Sequence, residues 1–397
     1  MSHLDKILEG VEVKSAPLGE VIKLEKGKQL NKELLSKSGL YPAYNGGVSF
    51  SGFADVYNYN ENTIIISQGG ASAGFVNFIT TKFYANAHCY VVLPKDEKVE
   101  NRFIYHFLKL SQERLMTKQH GAGIPALRTS EILDIPIPIP CPNNPKKSLE
   151  IQKEIVRILD KFTELTAELT AELTARKKQY IFYREQFFEF ADTEIQREPL
   201  GVIGEFQRGK RFVKDDMIAE GVPCIHYGEM YTYYGTWASK SKSFLSEELV
   251  ERKNLRIAEN GDVVIVAAGE TIEDIGLGTA WLGNEGVVIH DACFSFRSPL
   301  NPKYVAYFTR TKQFHDQIKK HISSGKISAI NARGLEKVLI PVPSPEEQER
   351  IVTILDKFDI LTTSISEGLP KEIELRKKQY EYYRDLLLTF PKNNLES

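Results

Sequence analysis

Serine and histidine in the right company can cleave bonds, and the chain holds a few groupings of that kind. GASAG at 70–74 follows an apolar run and has the GxSxG spacing of a nucleophile elbow, with Ser72 as the nucleophile. An elbow must turn from a strand into a helix, yet the FVNFITTKF that follows alternates like a strand. The second half of the chain has no matching serine in AAGETIEDIGLGTAW. GEFQRGKR at 204–211 nearly spells a phosphate-binding loop, but Arg211 stands where a serine or threonine would hold magnesium. His88 beside Cys89, and HDAC at 290–293, lack a second ligand pair for zinc. No GxGxxG or NPPY-like methyltransferase motif occurs. The sequence therefore points away from a catalytic chain and from a metal or cofactor of its own.

Two basic turns and a few polar side chains are the other groups with chemistry to offer. LEKGKQ and FQRGKRF are equivalent turns that offer Lys26, Lys28, Arg208, Lys210 and Arg211 to phosphates, with glycines allowing close backbone approach. A solvated charge run would have the same composition. Asn45, Gln68, His226 and Asn331 carry side chains that both donate and accept, as base edges require; Lys118 and Lys326 stand near the ends of the globular regions. Taken singly, each of these six reads first as a turn or surface residue. Formal net charge is −2, so a DNA face must be a local basic patch.

The 397 residues, 42% of them hydrophobic, suffice for two or three cores. No apolar run approaches the roughly 18 residues of a membrane span, and MSHLDKILEG lacks the regions of a signal peptide, so a cytoplasmic protein without membrane contact is expected. Four cysteines, Cys89, Cys141, Cys224 and Cys293, have no CxxC spacing and read as free thiols.

What must position these residues is a duplicated scaffold. ILDKF occurs at 158–162 and 354–358, and RKKQY at 176–180 and 376–380, each followed by an aromatic tail. Ile155, Ile158, Phe162, Leu165 and Leu169 recur at steps of three and four, the seam of a helix that wants a partner. Ile351, Ile354, Phe358, Leu361 and Ile365 repeat it. TELTAELTAELTA repeats every four residues, rotating the row Leu165, Leu169, Leu173 by about 40° and advancing it about 6 Å per unit. In the second copy four extra residues coincide with EGLPKE, where Gly368 can end one helix and Pro370 start another, so a break is expected. The tails Tyr180, Tyr183, Phe187 and Tyr380, Tyr383, Leu387 continue the helical spacing, as core or as docking faces for two identical partners.

The globular stretches are also duplicated. Pro17-Leu18-Gly19 matches Pro199-Leu200-Gly201, which implies a cyclic order in which the start of the chain docks beside the end of the second helix. NTIIISQGG, HCYVVLP, DVVIVAAG and VVIHDACFSF read as strands, and the alternating prolines of PIPIP and PVP favour an extended edge strand. CPNNPKKSLE is expected to be a loop leading to the first long helix.

At ILDKF, TAELTAEL, RKKQY, the YYRD tail and the proline-alternating strands, the chain resembles the specificity subunits of type I restriction-modification systems, closest to the type IC group. The resemblance covers the full length. It implies an α+β fold in which two mixed α/β target-recognition domains stand in pseudo-two-fold arrangement, joined by two long antiparallel coiled-coil helices. The corresponding boundaries are 1–145 and 193–343 for the recognition domains, 146–192 and 344–397 for the helical regions. It further implies a non-catalytic reader of double-stranded DNA that assembles with two methyltransferase subunits and with restriction subunits, to which S-adenosylmethionine, ATP and magnesium would belong. Two unlike domains would read the halves of a bipartite asymmetric site, with the helices as a ruler. A coiled-coil scaffold that ignores DNA is the alternative of another class, and a Ser72 hydrolase a distant third.

Overall fold

The computed structural model describes residues 10–95, 97–118, 126–190, 195–269, 271–323, 325, 327–364 and 366–390. The chain forms two compact units, Met1–Leu169 with Glu372–Ser397, and Thr170–Lys371.

In the first unit the lead-in strand Val13–Pro17 pairs antiparallel with Pro136–Pro140, Ala16 opposite Ile137. Proline lacks an N–H, so a strand with three of them suits this two-stranded ribbon rather than a sheet centre. Leu18 follows, fully buried, its N–H donating to the Ile135 carbonyl at 2.8 Å. A four-stranded antiparallel sheet runs in the order Ile22–Lys26, Cys89–Pro94, Thr63–Ser67, Val76–Ile79. Alternation sends Ile64, Ile66 and Val92 toward the helix Asn101–Leu110, and Ile65, Cys89 and Val91 toward a second apolar cluster with Phe83 and Ala85. Burial on both faces is why NTIIIS is a continuous apolar run. A three-stranded sheet, Gly52–Ala54, Tyr41–Tyr44, Tyr84–Ala85, stands beside it.

The second unit repeats the plan. Arg197–Pro199 pairs with Leu339–Pro341, and Leu200 is buried with its N–H on the Val338 carbonyl at 2.9 Å. Its large sheet runs Glu205–Arg208, Cys293–Arg297, Val263–Val266, Gly278–Trp281, the same order as in the first unit, with Trp237–Ala238 added in parallel at the edge. In the smaller sheets Tyr41–Tyr44 pairs parallel with Tyr84–Ala85, and Val222–Ile225 parallel with Val287–Ile289.

The first long helix, Pro145–Gln186, has 42 residues. It begins earlier than the sequence suggested: PKKSLE is helical, leaving Cys141 to Asn144 as the connector. The physical reason is a good start signal, with Pro145 in the first turn and the Asn144 side chain accepting from the Lys147 N–H at 3.1 Å. Within the first unit Ile155 and Leu159 are fully buried in the cluster holding Leu387 and Leu388 of the helix Gly368–Thr389, and Phe162 stacks on Tyr383 at 5.1 Å. Within the second unit Ile351, Val352 and Leu355 of the helix Pro345–Thr363 are buried, and Phe358 stacks on Tyr180 at 6.2 Å. The a/d seam is thus only part of the buried surface. Leu165, Leu169, Leu173 and Leu361 are half-buried, as is Ile158, and Leu159 takes the deeper place, because each helix must also cover its own globular core. Ile365 lies outside the described residues. The expected break is present: one helix ends at Thr363 and the next begins at Gly368, whose φ is +81°.

Candidate nucleic-acid interface

Ile22–Lys26 and Glu205–Arg208 are outer strands, and each ends in the basic turn singled out by sequence. The Gly27 N–H donates to the Cys89 carbonyl at 2.9 Å and the Lys28 N–H to Ala85 at 3.0 Å; Gly209 and Lys210 make the same bonds to Cys293 at 3.0 Å and Ile289 at 3.3 Å. A Cβ on Gly27 would lie 2.1 Å from the Asn86 oxygen, and one on Gly209 2.2 Å from the His290 oxygen. These glycines are therefore demanded by the chain's own backbone. Lys26, Lys28, Arg208 and Arg211 are exposed and Lys210 is half-buried.

Beyond each turn opens a cleft, and the two clefts have the same three walls: the segment after the turn, the end of the first strand of the parallel pair, and the residues after its second strand. In the first unit the cleft measures about 570 Å³ and is lined by Gln29, Lys32, Lys37, Asn45, Phe50 and Asn86 among others. In the second it measures about 730 Å³, with Arg208, Arg211, Lys214, His226, Tyr227 and His290. Asn45 and His226 therefore occupy corresponding positions, as do Asn86 and His290.

The walls are held in place by hydrogen bonds. Asn86 donates to the Leu30 carbonyl at 3.1 Å and accepts from the Leu30 N–H at 3.2 Å, clamping the loop after the turn. His226 starts the helix Tyr227–Thr232, its Nδ1 accepting from the Gly228 N–H at 3.3 Å. His290 Nδ1 accepts from the Ala292 N–H at 3.1 Å, and its ring lies 4.6 Å from that of His226. Burial holds both imidazoles below their usual range and so favours the neutral form. The Arg208 Nε donates to the Asp291 carbonyl at 3.0 Å, with the guanidinium 5.9 Å from the Phe294 ring centre.

Of the other expected residues, several are occupied structurally. Lys118 ion-pairs with Glu131 at 2.8 Å. The Asn331 side chain caps the helix Ala332–Glu336, accepting from the Gly334 N–H at 2.9 Å. Gln68 is half-buried and its backbone bonds to His88 and Leu127; it lines neither cleft. Lys326 lies outside the described residues. Sequence reasoning missed Gln29, Lys32, Lys37 and Lys214, which continuing each basic turn forward would have found. In the sequence His290 reads only as a potential zinc ligand, because its place beside His226 depends on strand pairing.

The enzyme-like motifs dissolve in the fold. GASAG is a turn leading into strand Val76–Ile79, and the near-phosphate-loop begins as strand Glu205–Arg208. Among the described residues no group of three or more His, Cys, Asp or Glu could hold a metal ion, and no helix is long and apolar enough to cross a membrane. Buried Cys89 has its thiol pushed up to about 11, and Cys224 and Cys293 theirs to about 12, all by desolvation.

A further exposed feature lies on the long helices. Phe182 and Tyr382 each follow RKKQY by two residues and are 58% and 64% exposed.

Residues 10–176 and 194–375 match the type I restriction modification DNA specificity domain. The Escherichia coli EcoR124I/EcoR124II type I restriction enzyme specificity subunit is 36% identical over 409 residues, covering 99% of this chain and 98% of that one. A solved restriction-modification S subunit from M. genitalium has a TM-score of 0.57 at 20% identity over 96% of each chain. A structure from work on assembly and conformational transition of the type I system scores 0.60 at 15% identity, covering 96% of this chain and 98% of that one. The two structures share the fold, and the sequence matches span both copies of the duplicated scaffold: the chain belongs to the type I restriction-modification DNA specificity subunit family, the non-catalytic component that recognises DNA.

Proposed function

We propose that the globular regions 1–145 and 193–343 each read one half of a bipartite, asymmetric site in double-stranded DNA, while the helical regions 146–192 and 344–397 set the gap and carry the catalytic partners. The observation that supports this most directly is the pair of clefts: one topological position, used twice, with different linings. A scaffold that ignored DNA would have no need to keep the position and change the contents. Lys26, Lys28 and Lys210 are not among the residues lining the clefts and would grip phosphates and fix register, whereas Asn45, Arg208, Arg211 and His226 line the clefts and would meet the bases, a change of role for the two arginines from the phosphate contacts expected of them.

Phe182 and Tyr382, exposed beside Arg176 to Lys178 and Arg376 to Lys378, supply two equivalent anchors. Large aromatics with a basic rim suit a protein interface, so two identical methyltransferase subunits would dock there, one per repeat. Restriction subunits join the same complex. S-adenosylmethionine, ATP and magnesium reside in those partners.

The test is a genome-wide map of methylated adenines in cells expressing this chain with its methyltransferase, against cells lacking the chain. A two-part asymmetric motif with a fixed gap is expected. An active methyltransferase that shows no chain-dependent motif would sink the reading and leave the scaffold ahead.

A further inference from the structure

The two clefts differ in chemistry as well as in sequence. In the first, Asn45 and Gln29 bring exposed carboxamides to the cleft, and the loop that begins at Asn45 also exposes the apolar side chains Val48 and Phe50. Carboxamides form paired hydrogen bonds with the N6 and N7 of adenine, and apolar groups meet the thymine methyl. Lys32 and Lys37 are exposed at the rim, where a mobile point charge serves a phosphate better than a base.

In the second cleft Arg208, the counterpart of Lys26, brings a guanidinium into the lining. The Nε of Arg208 is engaged by the Asp291 carbonyl at 3.0 Å. That bond sets the plane of the group and leaves both terminal nitrogens as a fork, the geometry that matches the O6 and N7 of guanine. Asp291 belongs to the turn that carries His290, so the hydrogen bond ties the fork to the cleft wall. Among the described residues, none of those lining the first cleft is an arginine.

We propose that the first recognition domain selects A·T pairs, through Asn45 with apolar contacts to thymine, and that the second requires a G·C pair read by the Arg208 fork. This inference rests on the clefts being DNA faces. It goes further by assigning a base class to each half-site and a specificity-determining residue to each domain.

The experiment maps methylation by the full chain co-expressed with its methyltransferase, for the wild type and for Arg208→Gln, Arg208→Lys and Asn45→Ala. Co-purification with the methyltransferase confirms that each variant is assembled. Arg208→Gln should relax one G·C position in a single half-site, lowering discrimination there roughly 5- to 150-fold, with the other half-site unchanged. Arg208→Lys keeps the charge and loses the fork, so it should relax the same position. Asn45→Ala should relax an A·T position in the opposite half-site. If Arg208→Gln instead weakens methylation evenly at all sites while Arg208→Lys behaves as wild type, Arg208 is a phosphate contact and the proposal falls. It falls equally if the half-site altered by Asn45→Ala turns out to require G·C there. Absence of any bipartite motif for the wild type would be a failure of the broader reading, and is distinguished by that control.

Discussion

Asp160 and Asp356, the aspartates of the two ILDKF motifs, carry the connection between each globular core and its helix. Asp160 accepts from Arg102 and lies 2.8 Å from Nε2 of His106, whose Nδ1 is 3.0 Å from the Tyr380 hydroxyl. Neutral His106 donating to Asp160 and accepting from Tyr380 satisfies all three groups. In the second unit Asp356 accepts from Lys303 and from the Tyr307 hydroxyl, each at 2.7 Å. Burial pushes the Asp160 carboxyl up, but His106 and Arg102 outweigh it and hold the group below its usual range. Asp160→Ala should therefore cost about 1–3 kcal/mol by orphaning buried donors. A melting temperature within a degree of wild type would show that the aspartate anchors nothing. Burial also holds His106 below its usual range, as it does His226, His290 and His315. A histidine with a depressed folded pKa lends stability that is complete above about pH 6.5 and is lost as pH falls through the folded value, because the unfolded chain takes up the proton first. Denaturant titrations from pH 8 down to 5 should show stability falling on the acid side, and His106→Gln should flatten that fall. An unchanged slope in the variant would remove His106 from the account.

At the scale of elements, the break between the helices Pro345–Thr363 and Gly368–Thr389 depends on one backbone angle. Gly368 has φ +81°, and a Cβ there would stand 2.5 Å from the Ile360 carbonyl oxygen. Gly368→Ala should destabilise the second unit by about 1–3 kcal/mol, measurable as a lowered denaturant midpoint. The first long helix has no such break across TAELTAEL. Its 42 residues extend about 63 Å. One added TAEL lengthens it by about 6 Å and turns it by about 40°, against about 3.4 Å and 34–36° for one base pair. Matching rotation rather than translation predicts a gap one base pair longer for each inserted unit, with bending absorbing the excess length. Methylation mapping of the insertion variant decides it, and an unchanged gap would end the ruler idea.

For the whole molecule, the formal charge of −2 means that affinity for DNA must come from local groups. Replacing Lys26 and Lys28 with alanine should weaken binding by the assembled complex at every sequence alike. The slope of log affinity against log salt should fall by about 1 per lost contact. A changed base preference in one half-site would contradict the phosphate role. The first unit is built from both ends of the chain: Val11 and Val13 pack in the cluster that holds Leu387, Leu388 and Phe390. This is the cyclic order that the repeated Pro-Leu-Gly triplets implied.

By itself the sequence determined the duplication, the two long helices, the break at Gly368 and the family, because each of these is a local pattern: a repeated string, a helical period, a glycine followed by a proline. It also located the basic turns, since a Lys-Gly-Lys or Arg-Gly-Lys triplet is visible without a fold. Which side chains share a cleft was decided by the tertiary structure. Asn45 with Asn86, and His226 with His290, are brought together by parallel pairing of strands distant in sequence. Only that pairing separates them from Asn331, whose carboxamide has the same chemistry but is spent on capping a helix. The depth of burial along the long helices was hidden for a related reason. A seam read from one helix assumes one neighbour, whereas Ile155 and Leu159 pack into a core that contains both a partner helix and a globular domain.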